Sequence, residues 1–72
     1  MERTMNIRIN GENREIPHVE TLAELLATLG IDTGSTGLAV ARNADVIARS
    51  RLADTPVEDG DRIEIVHAVQ GG

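Results

Sequence analysis

The sequence contains no cysteine, no aromatic residue and no lysine, and its seven basic residues are all arginine. Without cysteine there is no disulfide framework, no thiolate zinc site and no iron–sulfur cluster. Without lysine there is no phosphate-loop lysine and no Schiff base. A net charge of −5 and the lack of aromatic side chains argue against nucleic-acid binding, because phosphate neutralisation and base stacking are both missing.

Long hydrophobic runs are also absent. The longest run is the four residues from Leu38 to Ala41, whereas a membrane-spanning helix needs about 20. We therefore expect no membrane segment and a cytoplasmic location. The 72 residues predict one small domain over 1–72, too small to enclose a substrate in a deep cleft. An independent enzyme is not expected.

Metal ligands are few and badly spaced. The two histidines, His18 and His67, lie far apart in the chain, and no cysteine can complete a site with them. The acidic residues Glu58, Asp59 and Asp61 lack the alternating spacing and closing glutamate of a calcium-binding loop. We predict no metal site, and ordinary turn chemistry for the acidic residues.

The N-terminal part has the pattern of a β-hairpin. Met5, Ile7 and Ile9 alternate with polar residues, as in a strand with one buried face. Asn10-Gly11 then favours a tight turn, because both residues tolerate positive φ, and a return strand is predicted over 13–16. Residues 1–4 show no periodicity and are expected outside the fold.

One helix is predicted after the hairpin. Thr21 and Glu24 have the spacing of a capping box, and Gly30 is suited to end the helix. Between them, four leucines recur on one stripe at positions 22, 25, 26 and 29. This stripe is wide enough to cover one face of a sheet.

The remaining half predicts three more strands. They are Leu38 to Arg42, a short strand at Val46 and Ile47, and a long final strand from Arg62 to Val69. An irregular segment around Leu52 connects the last two. The resulting order, β-β-α-β-β-β, indicates an α+β fold with a mixed sheet of four to five strands and one covering helix.

The face of the sheet that the helix leaves uncovered is predicted to be apolar rather than polar. Arg8 and Glu64 flank it, which suits docking to a partner. The docking candidates are small or aliphatic residues of the third and last strands: Ala39, Ala41, Val66, Ala68 and Val69.

The end of the sequence is a narrow backbone segment. Gln70 is followed by Gly71 and Gly72, with no bulky or charged residue after them. From Val69 the extended chain reaches at most about 13–14 Å. Residues 70–72 are therefore predicted to form a flexible tail that brings a carboxylate into a channel of another protein.

Several of these segments together resemble one family. They are Ile9-Asn10-Gly11-Glu12, the helix from Thr21-Leu22 to Leu29-Gly30, Leu38 to Ala41, and the stretch from Glu58-Asp59-Gly60-Asp61 to Gly71-Gly72. In this combination the sequence resembles the ThiS family, the sulfur carriers of thiamine biosynthesis, from Met5 to Gly72. The resemblance implies a β-grasp, ubiquitin-like fold.

The resemblance also implies a protein that acts as a co-substrate and has no permanently bound cofactor. A ThiF-like adenylating enzyme would use ATP and Mg²⁺ to activate the carboxylate of Gly72. A sulfur donor such as a cysteine desulfurase would convert it to a thiocarboxylate, from which thiazole synthase takes the sulfur. Gly71 and Gln70 would provide the slender approach.

The sequence departs from the ThiS family pattern at two places, and three other functions are compatible with it. Ala44 stands where the family often has glycine, and residues 1–4 are extra, so translation could begin at Met5. The alternatives are a sulfur-carrier subunit of molybdopterin synthase, a ubiquitin-like protein modifier, and a β-grasp interaction or RNA-binding module. The missing aromatic residues and the lack of proline near the tail favour the thiamine branch over the molybdopterin branch.

Overall fold

The computed structural model describes residues 3–34 and 37–67. Within these ranges the elements are β1 (Thr4–Ile9), β2 (Glu12–Pro17), α1 (Leu22–Thr28), β3 (Leu38–Arg42), β4 (Asp45–Ile47), a 3₁₀ helix (Arg49–Asp54) and β5 (Arg62–His67). The predicted element order is confirmed, and the 3₁₀ helix is an addition to it. The five strands form one mixed sheet with strand order β2-β1-β5-β3-β4. Strands β1 and β5 are parallel and the other neighbours are antiparallel.

The N-terminal hairpin forms as the alternation predicts. Met5, Ile7 and Ile9 are buried, and the two turn residues have φ angles of 50° at Asn10 and 85° at Gly11. One boundary differs from the prediction. β1 begins at Thr4, and the carbonyl of the preceding residue 3 accepts a hydrogen bond from the backbone N–H of residue 18. Residues 3 and 4 therefore belong to the fold, contrary to expectation, because the return strand extends to Pro17, which pairs with Thr4. Residues 1 and 2 lie outside the described residues.

Both ends of α1 are capped. The Thr21 hydroxyl accepts a hydrogen bond of 3.2 Å from the Glu24 N–H, while the Glu24 carboxylate accepts one of 2.7 Å from the N–H of Glu20. The capping box therefore closes on the residue before the cap rather than on the cap itself. At the other end, the N–H of Ile31 donates to the carbonyl of Leu26 across Gly30, whose φ is +77°. This is a Schellman ending, for which glycine is suited.

The core lies between α1 and one face of the sheet. Three leucines of α1 (Leu22, Leu25 and Leu26) are completely buried there against the inward side chains of β1, β3 and β5. Leu52 of the 3₁₀ helix closes the edge of this core. Across the described ranges, no helix is long and apolar enough to span a bilayer.

Candidate functional site

The last strand occupies the centre of the sheet. β5 pairs with β1 on one side, where Ile63 lies beside Ile9, and with β3 on the other, where His67 lies opposite Leu38. The chain continues from His67 into residues 68–72. The predicted site residues Ala68, Val69, Gln70, Gly71 and Gly72 lie outside the described residues, so the structure defines the strand that leads to them.

A buried carboxylate holds the beginning of this strand. Asp61 Oδ2 lies 2.7 Å from Arg42 Nε and accepts a hydrogen bond of 2.8 Å from the N–H of Glu58, while Oδ1 accepts one of 3.1 Å from Asn43 Nδ2. Only 7% of Asp61 is exposed. The acidic turn was expected to be ordinary turn chemistry, and Asp61 instead joins the β3–β4 turn to β5.

These contacts determine the ionisation of the pair. Burial opposes the charge on Asp61, but the hydrogen bonds from Arg42, from the Glu58 N–H and from Asn43 outweigh it. They hold the pKa of Asp61 below its ordinary value of 3.8. In turn, the hydrogen bond to Asp61 raises the pKa of Arg42 above its ordinary value. Both groups are charged at neutral pH, and the ion pair is a fixed part of the fold.

The uncovered side of the sheet carries an exposed apolar surface near the end of β5. Ala39 lies opposite Val66, and Ala41 lies opposite Val46 of β4. Val66 is 58% exposed and Val46 is 80% exposed. We call these four residues (Ala39, Ala41, Val46 and Val66) the apolar face. The structure therefore brings together the three described docking candidates and adds Val46.

Charged side chains border the apolar face. Glu64 lies opposite Ala41 on the same side of the sheet, and Arg8 of β1 lies in register with Arg62 of β5. The predicted flanking residues Arg8 and Glu64 are thus on the uncovered side with the apolar face. Together they leave an apolar surface with ionic residues beside it, a composition typical of protein–protein contacts.

Several polar side chains singled out in the sequence have places in the fold. Asp59 Oδ1 accepts a hydrogen bond of 2.6 Å from the N–H of Asn6, and His18 Nε2 lies 3.4 Å from Glu20 Oε1. Within residues 3–34 and 37–67, no three His, Cys, Asp or Glu side chains are grouped to hold a metal ion.

The sequence model of the ThiS family matches residues 7–72. The chain belongs to the ThiS family. This is a family of sulfur carriers in thiamine biosynthesis, and the resemblance seen in the sequence is confirmed. The matched residues include the segment 68–72 and therefore Gly71 and Gly72.

Curated relatives are of two sizes. The sulfur carrier protein ThiS of Thermus thermophilus is 36% identical over 64 residues, which cover 89% of this chain and 95% of that protein. A thiazole synthase of Paramagnetospirillum magneticum is 41% identical over 68 residues, and one of Magnetococcus marinus is 35% identical over 68. The chain spans 20% of the length of each of these two synthases.

Solved structures agree with the fold. The crystal structure of the thiamine biosynthesis protein ThiS of Geobacter metallireducens superimposes with a TM-score of 0.77 at 30% identity, covering 94% of this chain and all of that one. The solution structure of a thiamine biosynthesis protein from the same organism gives a TM-score of 0.78, also at 30% identity, and covers 94% of this chain and 88% of that one. The predicted β-grasp fold is thereby confirmed.

Proposed function

We propose that this chain carries sulfur as a thiocarboxylate on the terminal carboxyl group of Gly72 and delivers it for thiazole formation in thiamine biosynthesis. The observation that carries the proposal is the ThiS match, which runs through Gly71-Gly72 to the last residue. In this proposal the chain is a co-substrate of other enzymes rather than an enzyme. Since activation consumes ATP, a cytoplasmic location belongs to the same proposal.

The chemistry requires activation before sulfur transfer. An ionised carboxylate resists attack, so one of its oxygens must first displace pyrophosphate from ATP, giving an acyl-adenylate on Gly72. A sulfur donor then attacks the carbonyl carbon and AMP leaves. When the donor is a persulfide, a thiol must afterwards cleave the S–S bond to release the thiocarboxylate. ATP, Mg²⁺ and the donor belong to the partner enzymes, namely a ThiF-like adenylating enzyme and a cysteine desulfurase.

The placement of β5 supports delivery of the tail. β5 pairs with β1 at Arg62 and Ile63 and with β3 from Ile63 to His67, and the segment 68–72 begins directly after it. The glycines at its end have no side chains, so they would pass through a channel too narrow for other residues. A rigid base followed by a slender end is suited to carry a reactive group between active sites.

The same placement supports docking through the apolar face. Val66 and Ala39 lie close to the end of β5, so a partner bound on them would have the tail within reach. We propose that the adenylating enzyme binds here, with Ala68 and Val69 extending the contact. Exposed aliphatic side chains of this kind contribute to affinity when a partner covers them.

Thiazole synthase is the proposed acceptor of the sulfur. Segments similar to this chain occur within two thiazole synthases. A carrier joined to its acceptor in one protein needs no diffusion to meet it, so this arrangement supports a functional pairing of the two. For the present chain, the proposal is that the two proteins meet during the sulfur-transfer step.

Loading of Gly72 is tested by measuring the mass of the intact protein. After incubation with the adenylating enzyme, ATP, Mg²⁺ and a sulfur donor, we expect an increase equal to the mass difference between sulfur and oxygen. Omitting ATP should prevent it. A variant that lacks Gly72 should keep its fold but remain unloaded. An unchanged mass of the full chain under conditions that load another ThiS protein would contradict the proposal.

Docking is tested by the same substitution on two faces. Ala39 on the apolar face and Ala27 on α1 are both exposed alanines, so Ala39→Glu and Ala27→Glu add the same charge at different places. We expect Ala39→Glu to raise the KM for the adenylating enzyme roughly tenfold, the ratio for about 1.4 kcal/mol. Ala27→Glu should leave it unchanged. Equal KM values for the two variants would exclude the apolar face as the binding surface.

A further inference from the structure

The turn of the N-terminal hairpin is bonded to the last strand across 55 positions of sequence. The Asn10 side chain accepts a hydrogen bond of 2.8 Å from the backbone N–H of Ile65 and donates one of 3.1 Å to the carbonyl of the same residue. Both polar groups of the amide are thus bound to a single residue of β5.

These two bonds occupy the positions of a missing backbone rung. In the parallel pair, the N–H of Arg8 donates to the carbonyl of Asp61, and the N–H of Asn10 donates to that of Ile63. The next rung would bring β1 backbone to Ile65. β1 cannot supply it, because the chain turns back at Asn10-Gly11 with positive φ at both residues. The amide of Asn10 supplies one acceptor and one donor in its place.

We infer that Asn10 is a positioning residue for sulfur loading: by binding Ile65, it fixes the strand end from which the segment 68–72 continues. The inference rests on the proposed function, in which that segment must enter a partner's active site. Val66 and His67 pair with β3 on one side. On the side of β1, Asn10 binds Ile65 with both polar groups of its side chain.

Asn10 would act by ordering the end of β5 before the adenylating enzyme binds. A strand end held on one side frays and swings over a wider range than one held on both sides. A tail that starts from a frayed base reaches the productive position less often, so the rate of reaction within the complex falls. Binding of the partner to the apolar face does not require Asn10, so the affinity is preserved.

The matched variants are Asn10→Gly and Asn43→Gly. Both asparagines have φ near +50° (50° and 49°), so glycine is conformationally acceptable at either position. Asn43 binds the other end of β5, where its Oδ1 accepts a hydrogen bond of 2.9 Å from the N–H of Arg62. It also donates to Asp61, so its loss should destabilise the fold at least as much as loss of Asn10.

The experiment measures kcat and KM for adenylation of the full-length chain at a temperature where every variant is folded. For Asn10→Gly we expect kcat to fall roughly fivefold, the ratio for about 1 kcal/mol of lost ordering. Its KM should stay within a factor of about two. For Asn43→Gly, we expect both constants to match the unsubstituted protein despite its lower stability. Amide exchange should accelerate at Ile65 and Val66 in the first variant, and at Arg62 in the second.

The outcomes separate the two proposals. Faster exchange at Ile65 with unchanged kcat would show that Asn10 is structural only and would overturn the inference, while loading of the unsubstituted chain leaves the proposed function intact. If the unsubstituted chain is not loaded, both proposals fail. Should Asn10→Gly not fold, Asn10→Asp keeps the acceptor for the Ile65 N–H but loses the donor to the Ile65 carbonyl. For this variant we expect kcat to fall together with faster amide exchange at Ile65, and faster exchange with an unchanged kcat would overturn the inference.

Discussion

Two turns of this molecule share a backbone conformation but differ in sequence and in what they hold. The hairpin turn Asn10-Gly11 has φ angles of 50° and 85°, and the β3–β4 turn Asn43-Ala44 has 49° and 77°. Each begins with an asparagine whose side chain binds β5, at Ile65 and at Arg62 respectively. The second residue is glycine in one turn and alanine in the other, although both have the same left-handed conformation.

The comparison shows that turn conformation is set by the strands more than by the turn residues. A two-residue connection between antiparallel strands favours positive φ at both positions, because this twist matches that of the strands. Ala44 adopts it although a Cβ makes this region unfavourable by about 1–2 kcal/mol. The β3–β4 turn carries this strain, and the hydrogen bonds of Asn43 to Asp61 and Arg62 offset its energetic cost.

Removing the carboxylate beside the strained turn should have the largest effect on stability. Asp61→Asn leaves the half-buried Arg42 with Glu58, 3.8 Å away and exposed, as its counter-charge. We therefore expect the free energy of unfolding to fall by about 2 kcal/mol, less than for a fully buried pair. Asp59→Asn removes the same charge from an exposed side chain that accepts one hydrogen bond, and should lose less than about 1 kcal/mol. Urea denaturation measures both. If the two variants lost the same free energy of unfolding, the ion pair of Asp61 would contribute no more stability than the single hydrogen bond of Asp59.

Acid should distinguish the two ends of β5. The pKa of Asp61 is lower in the folded protein than its ordinary value of 3.8, so the unfolded chain binds the proton more readily. The stabilisation is complete above pH 3.8 and is lost as the pH falls through the folded pKa. We expect the protection of the Arg62 amide against exchange, relative to an unfolded peptide at the same pH, to fall in acid before that of the Ile65 amide. Asp61→Asn should lose no stability from protonation at this position. If its stability fell with pH in the same way as that of the unsubstituted protein, the acid sensitivity would not come from Asp61.

The second residue of each turn, Gly11 or Ala44, can be replaced by the residue found in the other turn, which compares glycine and alanine in the same conformation. Gly11→Ala puts a Cβ on a residue with φ +85°, and apart from the adjoining residues no atom lies within 4 Å of the new carbon. The expected loss of about 1 kcal/mol in the free energy of unfolding is therefore conformational rather than steric. Thermal or urea denaturation measures it, and an unchanged stability would show that the hairpin turn relaxes to another conformation.

The reverse substitution should have the opposite and smallest effect. Ala44→Gly relieves the left-handed strain but increases the freedom of the unfolded chain, so we expect a gain of about 0.5 kcal/mol. The same denaturation measurement serves for both turns. A loss of stability instead would mean that the alanine side chain makes a favourable contact that outweighs its strained backbone.

Local patterns predicted much of the fold. The alternation of Met5, Ile7 and Ile9 indicated one buried face, and the leucine stripe and the caps at Thr21 and Gly30 delimited the helix to within a residue. These features are local because hydrophobic periodicity and capping act over a few positions. The exception is the start of β1, where pairing with β2 extends the strand to Thr4.

The candidate site was predictable only in part. Ala39, Ala41 and Val66 were placed on one face from the period of their strands. Val46 was missed, since its place depends on the register between β3 and β4 rather than on its own strand. Asp61 was read as turn chemistry because nothing near it in sequence shows that Arg42 lies beside it. Likewise, Asn10 was predicted as a turn residue, and its side chain binds Ile65, which lies 55 positions further along the chain.

By itself, the sequence determined the five strands, the α-helix, their order along the chain and the family to which the chain belongs. Each of these depends on patterns of residues that are close together or ordered along the sequence. Only the tertiary structure decided which side chains meet at the two ends of β5. Parallel pairing of the first and last strands brings together residues from opposite ends of the chain. Asn10 and Asp61 therefore act on the same strand for a reason that no local pattern contains: a hydrogen bond depends on distance in space, not on separation along the chain.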